Sequence, residues 1–133
     1  MFKKKPPIKR VVIAGCRDYY NYDEAKKYID YCLSNIRKEN DIIIVSGCAS
    51  GADALGERYA KENGFNIEKH PADWKTYGKS AGPRRNKQMA EITDYVICFW
   101  DEKSNGTKSM IDYAIKYNKP IKVKKIKITR TQR

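Results

Sequence analysis

Three short polar turns carry the residue types that bind anions. The first is Gly15-Cys16-Arg17-Asp18, where a residue without a side chain lets the backbone approach a ligand and Arg17 can pair with phosphate. The second, Ser46-Gly47-Cys48-Ala49-Ser50-Gly51-Ala52-Asp53, places two glycines and several small residues just ahead of a helical pattern. Backbone N–H groups exposed at a helix start, together with the helix dipole, favour a phosphate there. The third, Ser104-Asn105-Gly106-Thr107, repeats the arrangement at a later helix start. One helix terminus contributes only about 0.3 to 2 kcal/mol, whereas micromolar affinity needs roughly 8 kcal/mol, so several contacts must converge.

Each turn also has a structural reading. Gly15 suits any turn after a strand, and Arg17 suits a salt bridge. Ser50 and Asp53 have the spacing of a capping box, and Ser104 or Asn105 can cap a helix without any ligand. Asp53 can equally meet a ribose hydroxyl. The second turn is followed by no Gly-Lys-Ser/Thr and contains no G-x-G-x-x-G, which removes support for kinase or ordinary dehydrogenase chemistry. Further candidates are Trp74, in a non-periodic loop with Tyr77, as a stacking partner for a base, and Arg85 and Asn86. Arg84 shares a face with Gln88 and Glu91 and is expected to face solvent. Trp100 reads as core.

Cys16, Cys32, Cys48 and Cys98 form no C-x-x-C pair, and the single His70 has no partner at zinc spacing, so neither a disulfide framework nor a metal site is expected. Cys32 and Cys98 read as small buried hydrophobes of a reducing compartment, and Cys16 and Cys48 stand beside the turns. A cytoplasmic location follows as an expectation. No aliphatic run approaches the roughly 18 residues of a membrane span, and a secretory leader is not expected.

The elements that must position these turns alternate. A strand at 10–14 ends in Gly15, and Asn21 and Glu24 then open a helix whose stripe runs through Ala25, Ile29, Cys32, Leu33 and Ile36. Strands at 42–46, 66–70 and 95–100 follow, with helices from Ala52 to about Glu62, from about Pro83, and from about Asn105. Lys119-Pro120 starts a fifth strand, where Ile121, Val123, Ile126 and Ile128 among lysines suit an edge. Five strands alternating with about four helices predict a three-layer Rossmann-like α/β fold with a mostly parallel sheet. Such sheets bind ligands beyond the carboxyl ends of their strands, where strand order reverses.

A length of 133 residues suits one domain, placed at 8–124 with basic termini at 1–7 and 125–133. The net charge of +12 is terminal in origin. Residues 1–10 carry five Lys/Arg and no acid, residues 116–133 carry eight and none, and the intervening stretch holds 15 basic against 16 acidic residues. A near-neutral body with basic ends predicts weak nucleic-acid contact through the termini. The main partner is then a phosphate-bearing small molecule, with no membrane. Homo-oligomerisation is left open.

Taken together, Gly15-x-Arg17, "SGCASGADALGERYA", "HPADWKTYGKSAGPRRN" and "FWDEKSNGTK" resemble the YspA-like, YpsA-related branch of the SLOG superfamily of nucleotide-binding Rossmann-like domains, over roughly residues 10–123. The resemblance implies a pocket for a nucleotide or nucleotide derivative, built from the loops after the first, second and fourth strands, with no cofactor required. The chain is more distantly similar to the LOG-type phosphoribohydrolases, whose helix-start motif P-G-G-x-G-T-x-x-E ends in a glutamate implicated in N-glycosidic cleavage. Here Gly106-Thr107 match, but the glutamate position is Met110 and the leading P-G-G is absent. A methionine can neither stabilise a ribosyl cation nor move a proton, so Asp101, Glu102 or Asp112 would have to substitute, and binding without hydrolysis is expected. The turn Ser46 to Asp53 is also similar to the SGxAxGxD turn of the DNA-processing A proteins, which implies single-stranded DNA as an alternative ligand. Sequence reading therefore assigns the site to Gly15, Arg17, Ser46, Gly47, Ser50, Gly51, Asp53, Trp74, Arg85, Asn86, Ser104, Gly106 and Thr107, with no catalytic residue among them.

Overall fold

The computed structural model describes residues 5–128. Five parallel strands, β1 (Ile8–Gly15), β2 (Asp41–Ser46), β3 (Asn66–Lys69), β4 (Tyr95–Trp100) and β5 (Ile121–Lys125), form one sheet in the order β3-β2-β1-β4-β5. Sequence-adjacent strands are laid outward from β1 on one side, and β4 then returns to its other side. The strand order therefore reverses between β1 and β4.

Four helices of 12 residues each connect the strands: α1 (Tyr22–Leu33), α3 (Ala52–Asn63), α5 (Ala81–Ile92) and α6 (Asn105–Lys116). Alternation along β1 explains why they lie on two faces. Val11 and Ile13 pack with Ala25, Ile29, Leu33, Leu55 and Tyr59 from α1 and α3. Val12 and Ala14 point the other way, onto Met89 and Ala90 of α5 and Met110 and Ala114 of α6. A strand covered on both faces must be apolar throughout, and residues 11–14 are all buried. Each fully buried aliphatic side chain of this core contributes about 1.5 to 3 kcal/mol.

Two short helices depart from the sequence expectation. The first helix stops at Leu33, and Ile36 sits instead in a separate turn, α2 (Ile36–Glu39), still packed against the same apolar cluster. The Trp74 loop contains α4 (Trp74–Tyr77), held by Asp73, whose carboxylate accepts the Thr76 N–H at 3.1 Å. A local cap on one turn leaves no apolar periodicity to read. Helix α1 has half of the expected capping box: Asn21 accepts the Glu24 N–H at 3.1 Å, while the Glu24 carboxylate accepts from the Tyr19 hydroxyl at 2.7 Å.

At the C-terminal side the fold continues past residue 124. Ile126 is buried, its N–H donates to Trp100 O at 2.9 Å, and Ile128 packs against the core. Ile121 and Val123 of β5 face the α5–α6 layer, whereas Ile126 and Ile128, past the strand end, join the apolar cluster of α1 and α3, so the apolar contacts extend into a segment whose charge marks it as a tail. Residues 1–4 and 129–133, which hold Lys3, Lys4, Arg130 and Arg133 of the terminal basic charge, lie outside the described residues. No described helix is long and apolar enough to cross a membrane.

Candidate functional site

The carboxyl ends of β1 and β4 open into a cleft of about 590 Å³, and a second compartment of about 300 Å³ adjoins it. The larger sits where the strand order reverses, as expected for an open α/β sheet, and the smaller lies beside it against the β2–α3 loop. The two spaces share Arg17, Ala49, Trp74 and Arg85 as their common wall.

The first two turns are locked to each other. After β1, the Cys16 N–H donates to Phe99 O at 3.1 Å, and a Cβ on Gly15 would lie 2.3 Å from that same carbonyl oxygen. Cys16 O then accepts the Ala52 N–H at 3.1 Å, and the Ser50 hydroxyl donates to Arg17 O at 3.1 Å. The start of α3 is thereby held against the end of β1. Ser46 serves this loop from behind: its hydroxyl donates to Glu57 at 2.6 Å and accepts the Cys48 N–H at 3.1 Å. Cys48 itself is exposed and has a φ of 65°.

Asp53 does not form a capping box with Ser50. The residue at the helix start is Gly51, and the Asp53 carboxylate instead accepts the Ala49 N–H at 3.1 Å, closing the loop on itself. Asp53 is only 5% exposed, and burial pushes its carboxyl up to about 6 even though the Ala49 N–H and the Arg85 and Arg17 guanidinium groups favour the anion.

Helix α5 ties the loops together through two adjacent residues. Arg85 is buried, and its guanidinium donates to Gly47 O and, at 3.0 Å, to the side-chain oxygen of Asn86. Asn86 in turn donates to Gly106 O at 3.2 Å in the first turn of α6. Arg84 lies on the exposed face, with its guanidinium 4.3 Å from the Tyr77 ring centroid.

At the third turn, Trp100 is structural, because its indole N–H donates to Ser104 O at 3.1 Å. Asp101 accepts the Lys103 and Ser104 N–H groups at 2.9 and 2.8 Å, and those donors hold its carboxyl below the usual range. Thr107 donates to the Ser104 hydroxyl at 3.2 Å. Cys16, 3.9 Å from the Thr107 hydroxyl, is a buried thiol with its pKa raised by burial.

Of the residues read from sequence, Gly15, Arg17, Asp53, Trp74, Arg85, Asn86, Ser104, Gly106 and Thr107 line the larger cleft. Gly47 and Ser50 line the smaller compartment, together with the Trp74 and Arg85 they share. Ser46 and Gly51 line neither and act through the backbone and Glu57. Trp74 is 47% exposed, with the Arg17 guanidinium 5.5 Å from its ring centroid. Sequence reading missed the apolar wall, made by Pro83, Met89, Met110 and Ile128. The helical stripes mark Met89 and Met110 as inward-facing but carry no sign of which inward positions reach past the strand ends. Among the described residues, no group of three or more His, Cys, Asp or Glu is arranged to hold a metal ion.

In fold, the chain is similar to DNA processing protein A from Streptococcus pneumoniae, with a TM-score of 0.66, 20% identity, and coverage of 88% of this chain and 50% of that one. It is also similar to DNA processing protein A from Helicobacter pylori, described for its single-stranded DNA binding mode, with a TM-score of 0.58, 26% identity, and coverage of 89% and 65%. The chain thus spans about half to two thirds of the length of these structures. No curated protein matches it. The model of the YspA, cpYpsA-related SLOG family matches residues 9–77, which include β1, β2, α3 and the first two turns of the cleft. The chain belongs to the YspA, cpYpsA-related SLOG family.

Proposed function

We propose that this protein binds a phosphate-bearing nucleotide or nucleotide derivative in the cleft at the carboxyl ends of β1 and β4, as a binding or sensing domain. The observation that carries this reading is convergence. The turns after β1, β2 and β4 open onto adjoining spaces, with Arg17 and the half-exposed Trp74 at the junction. Guanidinium groups neutralise phosphate, an exposed indole offers a face for a base, and Asp53, Ser104 and Thr107 offer oxygen partners for ribose hydroxyls. Free cysteines suit a reducing compartment, and we place the protein in the cytoplasm on that basis.

Ligand that binds the native state alone raises its apparent stability, by about 2.7 kcal/mol at 100 times Kd. A thermal-shift panel of nucleoside mono- and diphosphates, dinucleotides, cyclic nucleotides and ADP-ribose derivatives at millimolar concentration is expected to raise the melting temperature with at least one member. Arg17→Ala should weaken that ligand tenfold or more, because a charge-assisted contact and one side of the cation–π pair with Trp74 are lost. A flat panel would overturn the reading. Oligonucleotide binding that falls steeply with salt and competes with the nucleotide would move the assignment to single-stranded DNA.

Of Asp101, Glu102 and Asp112, the substitutes for the hydrolase glutamate, one lines the cleft. Asp112 is exposed and paired with Lys108 at 3.0 Å, and Glu102 is exposed and paired with Lys125 at 3.1 Å. Asp101 lines the cleft, and so does Met110, where the related hydrolases carry their glutamate. Incubation with nucleoside monophosphates is expected to release no free base. Release that disappears in Asp101→Asn would make the protein an enzyme.

A further inference from the structure

The two compartments differ in charge. The larger cleft presents Arg17, Arg85 and Lys103 but also Asp18, Asp53 and Asp101, and much of its remaining wall is apolar, including Met89 and Met110. The smaller compartment presents the Arg17 and Arg85 guanidinium groups with no carboxylate in its lining, beside the loop 47–50 and the Trp74 ring. An anion entering the larger cleft meets three carboxylates. Backbone donors do not separate the two spaces, since the N–H groups of Lys103 and Ser104 are bonded to Asp101 and those of Cys48 and Ala49 to Ser46 and Asp53. The smaller compartment offers the same two guanidinium groups with a single carboxylate behind them, Asp53, which is turned onto the Ala49 N–H.

We infer that the smaller compartment, between the β2–α3 loop and Trp74, is the subsite for the ligand's phosphate, and that the larger cleft takes its nucleoside. This assignment rests on the nucleotide reading above and orients the ligand within it. Arg85 is already anchored to Gly47 O and Asn86, which fixes its guanidinium without ligand and lowers the ordering cost of binding. Arg17 is exposed and lies across Trp74, on the boundary that a ligand filling both spaces must cross. The mixed charge and apolar wall of the larger cleft suit a neutral base and the hydroxyls of a ribose, which can donate to its carboxylates.

Cys48 gives the test. It is exposed, lines only the smaller compartment, and has a φ of 65°, a conformation that Asp and Asn tolerate well. Cys48→Asp and Cys48→Asn therefore differ by one charge on a backbone both accept. Asn105, exposed at the start of α6 and lining only the larger cleft, gives the matching pair as Asn105→Asp against the wild type. The probes are adenosine 5′-monophosphate and adenosine, measured by calorimetry on the full chain. The expected result is that the Asp variant at position 48 binds the monophosphate at least tenfold more weakly than the Asn variant. The corresponding ratio for adenosine should stay within threefold, and the Asp/Asn ratio for the monophosphate should be smaller at position 105 than at position 48. A larger ratio at 105, or equal ratios for monophosphate and adenosine at 48, would overturn the subsite while leaving nucleotide binding intact. If the wild type binds neither probe nor any other nucleotide of the panel above, the nucleotide reading fails and the subsite with it.

Discussion

Gly51→Ala should melt roughly 10 °C or more below the wild type, and the folded fraction should bind nucleotide poorly. Gly51 has a φ of 73° and a ψ of −128°, a region that residues with a side chain rarely occupy. A Cβ there would lie 2.3 Å from Cys16 O and 2.5 Å from the carbonyl atoms of Arg17. Those atoms are backbone and cannot rotate away. Backbone strain of about 1 to 3 kcal/mol adds to a steric cost of similar size, and each kcal/mol moves the melting point of a domain this large by about 3 to 5 °C. Relief requires moving the turn after β1 away from α3, which breaks the Ala52 N–H to Cys16 O bond and displaces Arg17. Gly106→Ala is the control. Gly106 lies in the first turn of α6, nothing stands within 4 Å of its added Cβ, and alanine favours helix by about 1 kcal/mol. It should melt within a few degrees of the wild type or above it. A Gly51→Ala protein melting within about 2 °C of wild type would show that the two turns are not locked as described.

That contrast marks what a sequence discloses. Ser46 to Asp53 announces a tight small-residue turn, yet nothing in its spacing separates Gly51, pinned by the backbone of another loop, from Gly106, which stands in the open. The distinction depends on which chain passes nearby. The same holds for Asp53: its distance from Ser50 suits a capping box, and only the fold of the loop directs its carboxylate to Ala49. Arg85 could be placed toward the cleft because helical spacing puts it on the inward stripe. Its anchor, Gly47 O, belongs to a turn 38 residues away in sequence and is brought there by the strand order.

Strands and long helices were legible for a simple reason. Apolar runs at 11–14, 42–45 and 95–100 are too short for buried helices of normal length, and the stripes between them have helical period. The short α2 and α4 were illegible because one turn of helix has no period. The edge pattern read through Ile121, Val123, Ile126 and Ile128 holds only to Lys125, because the chain leaves the strand there and turns Ile126 and Ile128 to the other face of the sheet, a change that spacing among lysines does not announce. Charge balance in the cleft was the least legible feature. Along the chain, Asp18, Asp53 and Asp101 lie in three separate segments, and the sheet gathers them on one wall.

Asp53→Asn should make the protein more stable at neutral pH and remove a pH dependence that the wild type shows. Burial raises the Asp53 carboxyl from 3.8 to about 6, so in the folded state it keeps a proton that the unfolded chain has lost. Well below the unfolded value of 3.8 the carboxyl is protonated in both states, and the full stability is present. As pH rises from about 4 through 6 the unfolded state ionises first, and the wild type progressively loses stability; above this window the carboxylate costs about 3 kcal/mol relative to acid conditions. Asparagine keeps an oxygen to accept the Ala49 N–H and has nothing to ionise, so the loop closure survives. The variant lacks the attraction to Arg85, but that attraction is already outweighed by burial in the direction of the Asp53 shift. Other carboxylates, such as Asp101, respond oppositely because backbone donors lower them, so the measurement must be the difference between wild type and variant. Chemical denaturation of both proteins at pH 4, 5, 6 and 7.5 gives that difference directly. It should grow in favour of Asp53→Asn by about 2 to 3 kcal/mol across the series, and level off above pH 7. A difference that stays flat, or grows in favour of the wild type, would mean that Arg85 and the Ala49 N–H outweigh the loss of water, and that Asp53 stands in the cleft as a fully ionised partner of Arg85.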